Sequence, residues 1–167
     1  MINLTTRLVS IFLLFVFLSG CQRIPDGEMP DIGIPIENAN RDMEIYSPKG
    51  FRNTFKNGQR LSLLVRVLSD YSIQPQLDSG IKLFMYQDQQ WVEIENGFIY
   101  PLEHEADFIF VPSKDDFMKE GSISVVPYKQ DLKAAASVRL IIVGNIVRDG
   151  KVTDELSVGY FDFVLNP

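Results

Sequence analysis

Residues 60–68 read RLSLLVRVL, and this stretch decides the fold. Alternate residues form one wholly apolar face, with Leu61, Leu63, Val65 and Val67. The other face mixes polar groups with leucine, as Arg60, Ser62, Leu64, Arg66 and Leu68. Successive side chains of a β-strand point to opposite sides, so this period of two predicts a strand with one buried face.

The same pattern recurs through residues 43–167. Further stretches rich in Val, Ile, Phe and Tyr are bounded by Pro, Gly, Asn or Asp, at residues 43–47, 81–86, 91–95, 108–111, 122–126, 137–147 and 158–165. The sequence thus predicts about eight strands. One short helix is predicted over residues 113–121, with Ser113 as its N-cap and Gly121 as its terminator.

Two short connections predict antiparallel neighbours. Residues 86–91 join two strands through a polar loop, and Asp149-Gly150 is a hairpin signal because Gly tolerates the positive φ of such turns. Regular strands without a long helix predict an all-β fold, an antiparallel β-sandwich of about seven to eight strands. A small β-barrel is the alternative.

The succession of elements resembles immunoglobulin-like and fibronectin-like domains of bacterial surface proteins. Asn57-Gly58 precedes a long strand, residues 81–84 precede a loop and Trp91, and residues 138–143 precede a hairpin. This resemblance spans the predicted domain of residues 43–167 and implies only the architecture, since the paired cysteines of antibody domains are missing.

Composition narrows the chemistry. The 167 residues include 16 basic and 22 acidic side chains, a net charge of -6 with no basic run, which argues against nucleic acid as a partner. One Cys cannot form an internal disulfide, and one His cannot build a histidine-rich metal centre. We therefore expect no metal and no cofactor.

The N-terminal sequence predicts that the protein is exported from the cytoplasm. One basic residue, Arg7, precedes an apolar run over residues 8–20. The run is shorter than the ~20 residues that span a bilayer core, and it therefore predicts a signal peptide over residues 1–20.

The end of this run resembles the lipobox of bacterial lipoproteins, with Leu18, Ser19 and Gly20 before Cys21. The resemblance implies cleavage after Gly20 and acylation of Cys21. Acyl chains would hold the protein on the extracytoplasmic side of a membrane. Gln22 follows Cys21, and it is not the Asp that resembles an inner-membrane retention signal in double-membraned bacteria. In a host with an outer membrane the resemblance therefore implies sorting to that membrane. In any other host the anchor would lie in the cell membrane.

Residues 21–42 predict a flexible tether behind the lipidated Cys21. They contain Pro25, Pro30 and Pro35 and few bulky side chains, a composition that buries too little surface to fold alone. Proline-biased chain of this length reaches ~65 Å. Alternatively, Ile32, Ile34 and Ile36 alternate as an edge strand docked on the domain.

Candidate site residues are few. Trp91, near Tyr86, could stack on a sugar ring, although packing in or over the core is the preferred interpretation. His104 stands among the acidic residues 103–107, which we interpret as a solvated loop because side chains alternate and calcium-loop spacing is missing. No Gly-x-Ser-x-Gly elbow is present, and the sequence predicts no enzyme.

These features favour a lipid-anchored binding or assembly module whose partner is another envelope protein. A carbohydrate-binding module using exposed aromatic side chains such as Trp91 is the second hypothesis. An envelope hydrolase using His104 and nearby acids is the third.

Overall fold

The computed structural model describes residues 29–34, 39–48, 53–100, 108–113, 116 and 119–167. Ten strands in these residues form two sheets that pack face to face. They are β1 (Met43–Tyr46), β2 (Thr54–Lys56), β3 (Leu61–Val67), β4 (Ser72–Pro75), β5 (Ile81–Gln87), β6 (Gln90–Ile94), β7 (Asn96–Tyr100), β8 (Gly121–Pro127), β9 (Ala136–Arg148) and β10 (Lys151–Asn166).

The strand order is that of an immunoglobulin-like sandwich. One sheet has the order β1-β3-β8-β7, and the other has β2-β10-β9-β5-β6 with β4 paired to the second half of β9. Immunoglobulin domains place strands A, B, E and D in one sheet and C′, C, F and G in the other. Strands β1, β3, β8 and β7 occupy the first set, and β6, β5, β9 and β10 the second. The predicted sandwich is confirmed, and the two sheets do not close into the alternative barrel.

Most predicted strands are present, with two differences. Residues 108–111 form no strand, because Phe110 makes only an isolated bridge to Ile73. The sheets are also not wholly antiparallel, since β2 runs parallel to β10 in the register Val164↔Thr54. The chain passes from β1 in one sheet to β2 in the other. β2 is therefore not joined to β10 by a hairpin turn, which would have required an antiparallel direction.

The core lies between the sheets. The predicted inner face of β3, formed by Leu61, Leu63, Val65 and Val67, is at most 1% exposed. Opposite it lie Val138, Leu140 and Ile142 of β9 and Phe161, Phe163 and Leu165 of β10. The second half of β10 alternates in the same way, since its Tyr160 and Asp162 occupy the other face and are only partly buried.

Both predicted hairpin connections form. Asp149 and Gly150 have φ of 50° and 72° between the paired residues Arg148 and Lys151. Asp88 and Gln89 have φ of 51° and 62° between Gln87 and Gln90. Positive φ at both central residues defines the type I′ turn, whose twist matches that of the flanking strands.

The helix predicted at 113–121 is absent from the described residues of this segment, which form turns instead. The Asp116 N–H donates to the Ser113 carbonyl (3.2 Å), and the Lys119 N–H donates to the Asp116 carbonyl (3.1 Å). The Ser113 hydroxyl accepts a hydrogen bond from the Val67 N–H (2.9 Å) and so fastens this segment to β3. Gly121 begins β8. Residues 114, 115, 117 and 118 lie outside the described residues.

Candidate functional site

An open cleft of about 610 Å³ lies at the end of the sandwich where the β9–β10 hairpin turns. We call it the hairpin-end cleft. Three separate segments line it, through Asp70, Tyr71, Ser72, Ile109, Val111, Val147, Arg148, Asp149 and Gly150. In immunoglobulin lettering, two of them are the B–C and F–G connections, which carry binding loops in variable domains. The fold thus gathers residues from three distant parts of the chain at one end.

The apolar wall of the cleft follows from the position of Phe110. Ile73 N–H donates to the Phe110 carbonyl (2.9 Å), and Phe110 N–H donates to the Ile73 carbonyl (2.8 Å). This pair holds Phe110 in the core, where it is 1% exposed. Side chains alternate in extended chain. Ile109 and Val111 therefore face outward, 37% and 43% exposed.

Tyr71 and Arg148 form another part of the cleft. The Arg148 guanidinium lies 5.0 Å from the centre of the Tyr71 ring, a cation–π contact, and donates to Glu155 at 2.7 Å. Burial, and then a hydrogen bond to Asp42, raise the pKa of Tyr71 above its usual value. The Tyr71 hydroxyl therefore stays neutral at physiological pH, and this wall offers an aromatic ring beside an ion pair.

Exposed apolar side chains concentrate at this end. In the part of the chain that the structure describes, five large apolar side chains are exposed, and Ile109, Val111, Val152 and Leu156 line the cleft or lie on the hairpin. Val152 pairs with the cleft residue Val147 across the hairpin. Cross-strand partners share a face of the sheet. The apolar surface therefore continues from the cleft onto the hairpin.

A second feature is a buried arginine on the outer face of the six-stranded sheet. Arg139 is 4% exposed. It donates to both carboxylate oxygens of Asp162 on the neighbouring strand, at 2.6 and 2.7 Å. Its guanidinium lies 5.0 Å from the Trp91 ring centre and 4.4 Å from that of Tyr160. Bidentate pairing and two aromatic faces together offset the cost of burying this charge.

An N-terminal segment covers this outer face. Four apolar side chains of the sheet are buried there, namely Phe84, Ile141, Val143 and Val158. Met29, Ile32, Ile34 and Ala39 pack over them from residues 29–34 and 39, together with Trp91 and Tyr160. We call residues 29–34 and 39–40 the strap. Arg139 Nη1 also donates to Met29 Sδ at 2.6 Å.

The strap lies within the segment 21–42 predicted as a tether. Ile32 and Ile34 contact the domain, on the outer face of a sheet and without forming a strand at its edge. Ile36 and residues 21–28 lie outside the described residues.

Trp91 packs on the sheet exterior and not between the sheets. It is half-buried beneath the Arg139 guanidinium and meets Tyr86 edge-on, with ring centres 5.1 Å apart. Its indole N–H has no hydrogen-bond partner among the described residues. Arg139 occupies one ring face, so these contacts do not favour sugar stacking there.

Other predicted site residues fall outside the described residues. These are Leu18, Ser19, Gly20, Cys21 and His104 with its acidic neighbours in 103–107. Within the described ranges, no three His, Cys, Asp or Glu side chains come together as metal ligands. Nor does any helix in those ranges have the length and apolar character needed to cross a membrane.

Sequence reasoning missed the cleft and the Arg139 pair. Arg139 was visible as a charge inside the apolar run 138–143, a signal that it needs a partner. Nothing local pointed to Ile109 and Val111, because their exposure depends on the Ile73–Phe110 pairing.

The described residues thus form a β-sandwich with an immunoglobulin-like strand order, in which the strap covers an outer sheet face and the hairpin-end cleft is open. No protein-family model, curated protein or solved structure matches the chain.

Proposed function

We propose that the protein is an extracytoplasmic lipoprotein whose immunoglobulin-like domain binds another envelope protein through the hairpin-end cleft. The observation that supports this is the concentration of exposed apolar side chains at and beside that cleft. Contiguous apolar surface on a soluble domain typically marks a contact site.

The cleft chemistry favours a protein segment with an apolar side chain. Ile109 and Val111 would contact that side chain, while Tyr71 and the Arg148–Glu155 pair would border it. An apolar centre with aromatic, arginine and polar groups around it is typical of protein interfaces. The net charge of -6 continues to disfavour nucleic acid.

The lipid anchor has its own test. Cys21→Ala should move the protein from the detergent phase to the aqueous phase in a phase-partition experiment on cells, because the acylated thiol is lost. Gln22→Ala is the matched control and should stay in the detergent phase. An unchanged distribution of Cys21→Ala would contradict the anchor.

The cleft is tested by crosslinking in cells followed by mass spectrometry. A double variant, Ile109→Asp with Val111→Asp, should capture a specific partner at least about tenfold less than the unsubstituted chain. Burying unpaired carboxylates against an apolar partner surface weakens the free energy of binding by more than ~1.4 kcal/mol, which corresponds to a factor of ten in affinity.

Tyr128→Asp is the matched control for the cleft. Tyr128 is 56% exposed, and it does not line the cleft. The partner should crosslink to this variant as it does to the unsubstituted chain. Equal capture by the cleft variant, or capture of no protein by the unsubstituted chain, would overturn the proposed protein partner.

A further inference from the structure

We infer that the strap sets how the domain stands on the membrane, with the hairpin-end cleft at the membrane-distal end. The inference rests on the proposed lipid anchor at Cys21. Its consequence is that the cleft takes a protein segment that approaches from the aqueous side, and not a lipid headgroup of the bilayer that carries the anchor.

From Met29 onward, the described residues of the strap are fixed to the sheet. Met29 contacts the Arg139 guanidinium, and Ile32 and Ile34 pack on the apolar outer face. Asn40 then makes two hydrogen bonds to β10. The Asn40 N–H donates to the Val158 carbonyl (2.9 Å), and the Asn40 side-chain oxygen accepts from the Tyr160 N–H (2.7 Å). These contacts hold both ends of the strap on the sheet.

The length of chain between Cys21 and Met29 limits how far the lipid anchor can lie from the sheet. Eight residue steps separate Cys21 from Met29, and each extends at most ~3.6 Å, so the anchor lies within ~29 Å of Met29. Without the strap contacts, the whole of residues 21–42 would be available, with a reach of ~65 Å. The strap therefore shortens the free tether by more than half.

The position of Met29 along the strands sets which end of the sandwich lies nearer to the anchor. Met29 meets Arg139, whose partner in β10 is Asp162. The cleft lies at the other end of the same strands, where Arg148 pairs with Lys151. Nine residues of strand separate Arg139 from Arg148, a distance of ~30 Å.

These lengths decide the orientation. To bring the cleft to the bilayer, residues 21–28 would have to run back along the sheet almost fully extended, since their ~29 Å reach only equals the ~30 Å of strand. Extended chain is entropically unfavourable. The end that carries Arg139 therefore faces the membrane and the cleft faces away.

Energy transfer to a labelled bilayer tests the orientation. Full-length lipidated protein carrying one new cysteine, Gln87→Cys or Lys151→Cys, is labelled with a donor dye and inserted in phosphatidylcholine vesicles with acceptor-labelled headgroups. Both positions are exposed, and they lie ~40 Å apart along the sheet. Transfer from position 87 should be at least about threefold more efficient, because it lies at the Arg139 end.

The outcomes separate the orientation from the anchor. Equal transfer from both positions, or stronger transfer from position 151, overturns the orientation and leaves the anchor intact. Failure of the protein to float with the vesicles overturns the anchor and the orientation together.

A strap variant tests the cause. Ile32→Ser with Ile34→Ser should bring the two transfer efficiencies together, because the freed strap lengthens the tether. Asp31→Asn is the matched control, since Asp31 is exposed and its side chain accepts a hydrogen bond from the Gly33 N–H of the strap itself (2.8 Å). An unchanged ratio in the double variant would overturn the role of the strap.

Discussion

Asp162→Ala should lower the free energy of unfolding by about 2–4 kcal/mol, measured by urea denaturation. The substitution removes the bidentate Asp162 carboxylate from the buried Arg139 guanidinium, and breaking a buried pair typically costs about 3–5 kcal/mol. The Asp162 side chain is 39% exposed. Water can replace part of the lost interaction, which places the expected value at the lower end.

The effect should also be visible locally. Arg139 contacts Trp91, the only tryptophan of the chain, so loss of the pair should change Trp91 emission in the folded state. Asp162→Asn keeps the shape of the side chain but not its charge, and should be intermediate in stability.

A matched ion pair on the same sheet provides the control. Lys82 and Glu93 interact at 3.1 Å, with side chains 31% and 53% exposed. Exposed pairs contribute about 0–1 kcal/mol. Glu93→Ala should therefore cost less than ~1 kcal/mol, and equal losses for Glu93→Ala and Asp162→Ala would contradict the account of Arg139.

Phe110→Ala should cost about 3–5 kcal/mol, the usual range for removing a buried phenylalanine. Phe110 is 1% exposed and meets Phe108 edge-on, with ring centres 5.1 Å apart. Gly121 packs so tightly against the Phe110 ring that a Cβ atom at position 121 would overlap the ring. Packing this close leaves a cavity when the ring is removed.

Two control variants accompany Phe110→Ala, and their free energies of unfolding are also measured by urea denaturation. Phe110→Leu retains most of the volume and should cost less than ~2 kcal/mol. Ile109→Ala removes an exposed side chain of the cleft and should cost less than ~1 kcal/mol. If Phe110→Ala were as mild as Ile109→Ala, the Phe110 ring would not be part of the core.

The strand pattern could be predicted where a strand is long and one face is buried. β3 and the second half of β10 each bury an alternating row against the opposite sheet, so the period of two is visible in the sequence. β9 is buried on both faces and is recognised by its continuous apolar run. β2, β4 and β7 were missed because they are short and contain or adjoin Asn, Pro or Gly. Their partners in the sheet, and not their own composition, make them strands.

The candidate sites depend on distant pairings. Asp162 lies 23 positions from Arg139, and Met29 lies 110 positions away. At these separations, no local sequence pattern identifies either residue as a partner of Arg139. The cleft likewise needs three segments that only the sandwich topology brings to one end.

The sequence by itself determined the all-β class, both hairpin connections and the inner face of β3, and it favoured a sandwich over a barrel. These depend on side-chain alternation and on φ preferences, which act within a few residues. Only the tertiary structure decided that β2 runs parallel to β10, that Arg139 is buried and that Ile109 and Val111 stay exposed. Burial of a side chain is a property of what packs against it, and residues far away in the chain supply those contacts.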